Sequence, residues 1–275
     1  MIAIMRHRRH RLALPLLLLV GLFAAGLLYS AIVPRAVAST EPSTAVADPD
    51  NAEQVAYGRE LFLSNCSTCH GFNAEGGDVA DGNQVSGPSL IGVGAASVDF
   101  QVGTGRMPLQ ATGPQAPKRM PQYPDDQVKA MAAYIASLAP GPAIPEDRWL
   151  DPAGGDPGAG GEIFRVNCAM CHNFAGSGGA LTQGKYAPSL RDVAPTHVYS
   201  AMLTGPQSMP VFGDDNITPQ QKQDIIAYLD EVTTESSPGG LSLGLLGPVS
   251  EGLVGWVVGI GGLIACAVWL GAKSS

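Results

Sequence analysis

Charge is scarce in this 275-residue chain, at 15% of residues, and positive charge is scarcer still, with 16 Lys+Arg against 24 Asp+Glu. From residue 41 to 250 the chain carries 10 basic and 23 acidic side chains, a balance of −13. A surface that negative repels a phosphate backbone, which excludes nucleic acid as a partner and points to basic partner surfaces instead. Disorder is excluded by a hydrophobic fraction of 45%, and a coiled coil or long-helix bundle by the 35 Gly and 22 Pro. Period-two alternation is missing too, so strands are not expected and the chain reads as mainly α. Cysteine and histidine are rare, five of each. Their placement is therefore informative.

The two ends read as membrane segments. Leu12 to Val33 is an uncharged, largely apolar run of 22 residues, preceded by Arg6, Arg8, Arg9 and Arg11. At about 1.5 Å per residue it can cross a bilayer, and the basic cluster keeps the N-terminus in the cytoplasm. Residues 1–40 are read either as a signal peptide, cleaved after Ala36-Val37-Ala38, or as a retained N-terminal anchor; both export the residues beyond about 40. The segment 253–270 is apolar, with Trp256 and Trp269 near its edges and Lys273 beyond. That pattern is expected of a transmembrane helix returning to the cytoplasm.

Between these ends the sequence repeats. Gly58-Arg-Glu-Leu-Phe62 and Asn65-Cys66 align with Gly160-Gly-Glu-Ile-Phe164 and Asn167-Cys168 at an offset of 102. Pro88-Ser89-Leu90 answers Pro188-Ser189-Leu190, Met107-Pro108 answers Met209-Pro210, and Ala133-Tyr134 answers Ala227-Tyr228. The repeat defines two tandem units, at 45–140 and 159–235, with linkers at 141–158 and 236–252. Each should open and close with a helix, the middle being mostly Gly/Pro-rich loop. Asp125 or Asp126 is expected to cap the closing helix of the first unit. In the second, Thr218 with Gln221 forms a capping box, and Pro219 takes the first turn.

Four of the five cysteines fall in Cys66-Ser-Thr-Cys69-His70 and Cys168-Ala-Met-Cys171-His172; Cys266 lies in the apolar C-terminal segment. Cys-x-x-Cys-His is the attachment signature of haem c. Two thiols on one helical turn reach the two vinyl groups, and the adjacent His lies under the iron. A zinc ribbon spaces its pairs by about 15–20 residues, whereas these pairs lie 102 apart, and it leaves both His unused. A thioredoxin-type site requires a strand–helix setting that is missing.

A sixth iron ligand cannot be histidine in both units, because only His197 is left beyond His7, His10 and the two motif histidines. Methionine can serve, and it favours the ferrous iron. Met107 follows His70 by 37 residues, and Met209 follows His172 by 37. Met120, which also precedes a Pro, rivals Met107. Met131, Met170 and Met202 read as core or surface residues. His197 reads as a surface or haem-edge residue.

On these residues each unit resembles a class I cytochrome c. The resemblance implies a contact of Gly58 with Tyr134 and of Gly160 with Tyr228 where first and last helices cross. Two such domains between an N-terminal export or anchor segment and a C-terminal transmembrane helix resemble the dihaem cytochrome c subunit of actinobacterial cytochrome bc menaquinol reductases. The resemblance implies two covalent haem c groups, with His70, Met107, His172 and Met209 as axial iron ligands, and haem domains on the extracytoplasmic side of the cell membrane. It also implies a cytochrome b subunit, a Rieske iron–sulfur donor and a cytochrome c oxidase as partners, and electron transfer without side-chain catalysis. An independent membrane-anchored dihaem carrier is the alternative. A dihaem peroxidase would need a distal acid/base pair, and none stands out.

Overall fold

The computed structural model describes residues 19–21, 23, 46–77, 87–111, 113–234 and 252–273. The expected N-terminal export or anchor segment lies outside the described residues apart from helical Leu19–Gly21 and Phe23, and so does nearly all of the 236–252 linker.

The first unit is built on α1 (Ala52–Asn65), the short α2 (Ser67–His70), α3 (Gly94–Gly103) and α4 (Asp125–Leu138). Asn51 starts α1 by accepting from the backbone N–H groups of Glu53 and Gln54. The buried face of α1 is Gly58 and Phe62, which are spaced i, i+4 and so lie one above the other. They meet α4, where Val128, Met131, Tyr134 and Ile135 are buried, and the rings of Phe62 and Tyr134 lie 5.4 Å apart. A side chain on Gly58 would overlap the carbonyl of Ala130, so the helices cross only because this position carries no Cβ.

The second unit repeats this frame with α5 (Pro157–Asn167), α6 (Ala169–His172), α7 (Pro195–Thr204) and α8 (Pro219–Thr234). Asp156 caps α5 and Pro157 takes its first position, where the missing N–H costs nothing. Phe164 and Tyr228 pair at 5.3 Å. A Cβ on Gly160 would overlap the carbonyl of Asp224, whereas the ring of Tyr228 faces the neighbouring Gly161. The second unit thus shares the Gly–aromatic contact between two adjacent glycines, and Gly160 itself packs on backbone rather than on Tyr228.

Two sequence-based expectations are corrected, and one gains detail. The middle of each unit is mostly loop, as expected, with one ten-residue helix set in it, α3 or α7. Asp125 and Asp126 are the first two residues of α4, not its cap; Pro124 holds the cap position, and the two carboxylates complement the helix dipole. A small antiparallel pair joins β1 (Gly179–Ala180) to β2 (Tyr186–Ala187). The capping box forms: Gln221 N–H donates to Thr218 Oγ1 at 3.3 Å, and Thr218 N–H to Gln221 Oε1 at 2.9 Å.

The Pro-rich stretch between the units is tied down on both sides. Ala96 N–H donates to the Pro142 carbonyl at 3.0 Å, and Gln223 Nε2 donates to the carbonyls of Arg148 and Asp151 at 2.8 and 2.9 Å. The units also touch directly, α3 against α7. Near the C-terminus, Gly252–Ala272 is a 21-residue apolar helix, six residues of which (Gly255–Ile260) take the wider π winding. Its length and its exposed apolar side chains suit membrane anchoring.

Candidate functional site

Each Cys-x-x-Cys-His motif occupies the turn where the opening helix ends. Cys66 closes α1 with its N–H on the Phe62 carbonyl, and Cys168 closes α5 with its N–H on the Phe164 carbonyl, both at 2.8 Å. The chain then winds one more short turn, α2 or α6, which ends on the histidine. Both cysteines of each motif and its histidine are thereby gathered on about one helical turn, as thioether attachment to a single porphyrin requires.

The histidines are oriented alike. His70 Nδ1 lies 2.7 Å from the Pro88 carbonyl oxygen, and His172 Nδ1 lies 3.0 Å from that of Pro188. A carbonyl can only accept, so each Nδ1 is the protonated nitrogen, and Nε2 keeps its lone pair for a metal. This gives the repeated Pro-Ser-Leu segments a role: they hold the ring. Gly87 is tied to the same place, its N–H bonded to the Cys69 carbonyl at 2.8 Å, and a Cβ there would collide with the His70 ring. Burial, with a smaller contribution from the neighbouring Cys69 or Cys171, pushes the Cys66 and Cys168 thiols up to about 11. Both would be neutral thiols at pH 7, and a thioether is neutral too. Burial also lowers His172 below its ordinary value, against the opposing bond to Pro188, which keeps the ring in its ligand-competent neutral form.

In the second unit the motif opens on an apolar cleft whose walls include Cys168, Cys171, His172, Met202 and Met209. Met209 therefore shares a cleft with His172. In the first unit Met107 packs on the same core as Cys66 and Leu90, whereas Met120 is 87% exposed. Met131 and Met202 are buried core residues and Met170 is 90% exposed. The walls fit a haem: a flat apolar body needs an apolar slot, with two thiols, an imidazole nitrogen and a thioether at its rim and face. Among the described residues no group of three or more His, Cys, Asp or Glu could hold a metal ion.

The cleft has a wall the sequence did not reveal. The first unit contributes Phe100, Thr104, Arg106, Gln115 and Lys118 to it. Gln115 clasps β2 like an added strand: its Nε2 donates to the Tyr186 carbonyl at 3.1 Å, and Tyr186 N–H donates to its Oε1 at 2.8 Å. Ala116 N–H donates to Gln207 Oε1 at 3.2 Å, on the loop that carries Met209. His197, expected at a surface or haem edge, stands between the units. Its ring meets Phe100 edge-on at 6.1 Å, and its Nε2 lies 3.9 Å from the buried Asp99 carboxylate, which pairs with Lys129. No local signal marks these residues, because the partners lie on a different unit.

Comparison with known proteins fits this geometry. Residues 55–139 match the family model "Cytochrome c", and residues 155–229 match "Cytochrome C oxidase, cbb3-type, subunit III". The chain is a tandem of two cytochrome c domains, a class that carries haem c covalently. The "Cytochrome bc1 complex cytochrome c subunit" of Corynebacterium efficiens is 44% identical over 98% of this chain and 92% of its own length. The same subunit of Mycobacterium tuberculosis is 42% identical over 98% and 94%, and that of Mycobacterium leprae 43% identical over 94% and 87%. The chain belongs to this family of cytochrome bc1 complex cytochrome c subunits, and its role is electron transfer. A shorter likeness, 36% identity over 29% of this chain, links it to the cbb3-type cytochrome c oxidase subunit FixP of Sinorhizobium medicae.

Proposed function

We propose that the chain holds two haem c groups, one on Cys66 and Cys69 with His70 and Met107 as axial ligands, the other on Cys168 and Cys171 with His172 and Met209. Each bound iron would carry one electron by cycling between its ferric and ferrous forms. The protein's own work is to hold and orient. The Pro88 and Pro188 carbonyls fix the imidazoles, the apolar cleft at the second motif excludes water, and Met107 and Met209 would hold the irons with thioethers that favour the reduced form. No side chain donates or removes a proton. The observation that carries this reading is the twofold recurrence of a motif histidine bonded through Nδ1 to a Pro-Ser-Leu carbonyl.

In the complex, the chain would take electrons from a Rieske iron–sulfur protein beside a cytochrome b subunit and pass them to a terminal cytochrome c oxidase. That makes it the electron-transfer subunit of a quinol–cytochrome c reductase. The cbb3-type likeness of the second domain supports giving it the oxidase-facing side. The haem domains would lie on the extracytoplasmic side, tethered by the C-terminal helix. Mild-detergent purification through this subunit, with haem staining and mass spectrometry, tests the assignment. Cytochrome b, a Rieske protein and an oxidase should co-purify in stoichiometric amounts; a chain that purifies alone with its haems would favour an independent carrier.

A further inference from the structure

Arg106 belongs to the first domain, yet it forms part of the wall of the second domain's cleft. The residue is only 9% exposed, with its guanidinium stacked 4.6 Å above the Phe100 ring. Nη1 donates to Thr104 Oγ1 at 2.6 Å. A guanidinium carries five N–H donors, and among the described residues this is the single side-chain hydrogen bond Arg106 makes. No described carboxylate lies within ion-pair distance of it, and burial lowers its pKa. Arginine nonetheless stays charged, and a buried cation without an anion is costly enough that native structures supply one. Lys118, exposed at the same cleft, adds a second cation without a described partner.

A haem brings two propionate carboxylates, and a planar guanidinium fork is matched to a carboxylate. We propose that Arg106, assisted by Lys118, binds a propionate of the haem held by the second domain, so that one domain completes the haem site of the other. The Gln115–Tyr186 and Ala116–Gln207 bonds position this wall, because they fasten the first domain's 113–118 segment to both loops flanking the cleft. The proposal rests on the two-haem reading above. It goes beyond that reading in making the domains interdependent at the cofactor itself.

The test is a potentiometric titration of the full-length chain in detergent, preceded by a pyridine haemochrome assay. Fewer than two haems per unaltered chain would overturn the two-haem reading itself, before any variant is compared. With two haems present, Met209→His identifies the second haem by moving its wave alone. Removing the cation leaves the propionate charge uncompensated, which disfavours adding an electron. Arg106→Gln should therefore lower the second haem's wave by about tenfold in the reduction equilibrium, 59 mV for one electron. It should also shift the propionate-bending bands in the resonance Raman spectrum and leave the first haem's wave in place. Arg106→Lys should retain most of the original potential. Lys118→Gln, which removes no buried group, should move the same wave in the same direction by less. A shift of the first haem's wave instead, or unmoved waves with unchanged Raman bands in both Gln variants, overturns the proposal.

Discussion

In the first domain Cys69 is exposed and His70 half-buried; their counterparts Cys171 and His172 are half-buried and buried. The frames around them are the same, down to a ring pair at 5.4 Å in one and 5.3 Å in the other. Two things cover the second motif. Its own β1–β2 pair packs on α6, and the first domain's α3 and 113–118 segment wall its cleft. Duplication copied a haem-holding fold, and this added cover distinguishes the second site. Shielding from water is one of the levers that sets an iron potential, so two identical ligand sets need not give two identical carriers.

The largest expected effect breaks the symmetry of the ligands. Met209→Ala should abolish the second haem's share of the weak ferric iron–sulfur band at the red edge of the visible spectrum, and Met107→Ala the first's. Met120→Ala should leave the band intact; loss of the band there would move the first-domain ligand to Met120. Next comes the buried charge that only the first domain has in α3. Lys129→Ala would strand the Asp99 carboxylate, which is 2% exposed, and should cost about 3 kcal/mol in a denaturant titration. Asp99→Asn in the same background should recover most of it.

The helix crossings should respond alike. Gly58→Ala and Gly160→Ala each push a methyl into a backbone carbonyl and should cost about 1–3 kcal/mol, read as lower midpoints in thermal unfolding. A large gap between the two would show that the frames are less equivalent than their geometry. The contact between domains should depend on pH. Burial lowers His197 below its ordinary 6.5, against Asp99, while Lys129, Lys118 and Arg106 act in the same direction as burial. The unfolded chain then binds the proton more readily. Stability from this group is complete above about pH 6.5 and is lost as pH falls through 6.5 toward the folded value, by at most about 1.4 kcal/mol per unit. His197→Gln should flatten that slope. Smallest is the cap: Thr218→Ala should cost about 1 kcal/mol, with no equivalent at Pro124, where no side-chain cap bond exists.

Features that depend on near neighbours in the chain could be read directly. The thiols and histidine of each motif must share one helical turn, so their spacing shows in five letters. The Thr218–Gln221 box and the apolar C-terminal run are equally local. The two closing helices were legible from their start signals, the paired Asp125-Asp126 and the Thr218-Pro219 step. Helix α3 was not, because nearly all of it is buried: Ala95, Ala96 and Val98 to Phe100 are covered on every side, which leaves no polar stripe to mark a period. Helix α7 had readable ends, Pro195 at its start and Gly205 in a left-handed turn at its close, but the Gly/Pro content around it suggested loop.

The sequence alone established a duplicated carrier of Cys-x-x-Cys-His motifs with an apolar C-terminal run that suits membrane anchoring, because such features depend on residues within a turn or a single run. Only the tertiary structure decided that Gly161 rather than Gly160 faces Tyr228, that His197 sits against Asp99, and that Arg106 and Gln115 belong to the other domain's cleft. Those contacts join residues about 70 to 100 positions apart, where no periodicity reaches: helix crossing within the second domain selects Gly161–Tyr228, and the burial of one domain's surface on the other selects the rest.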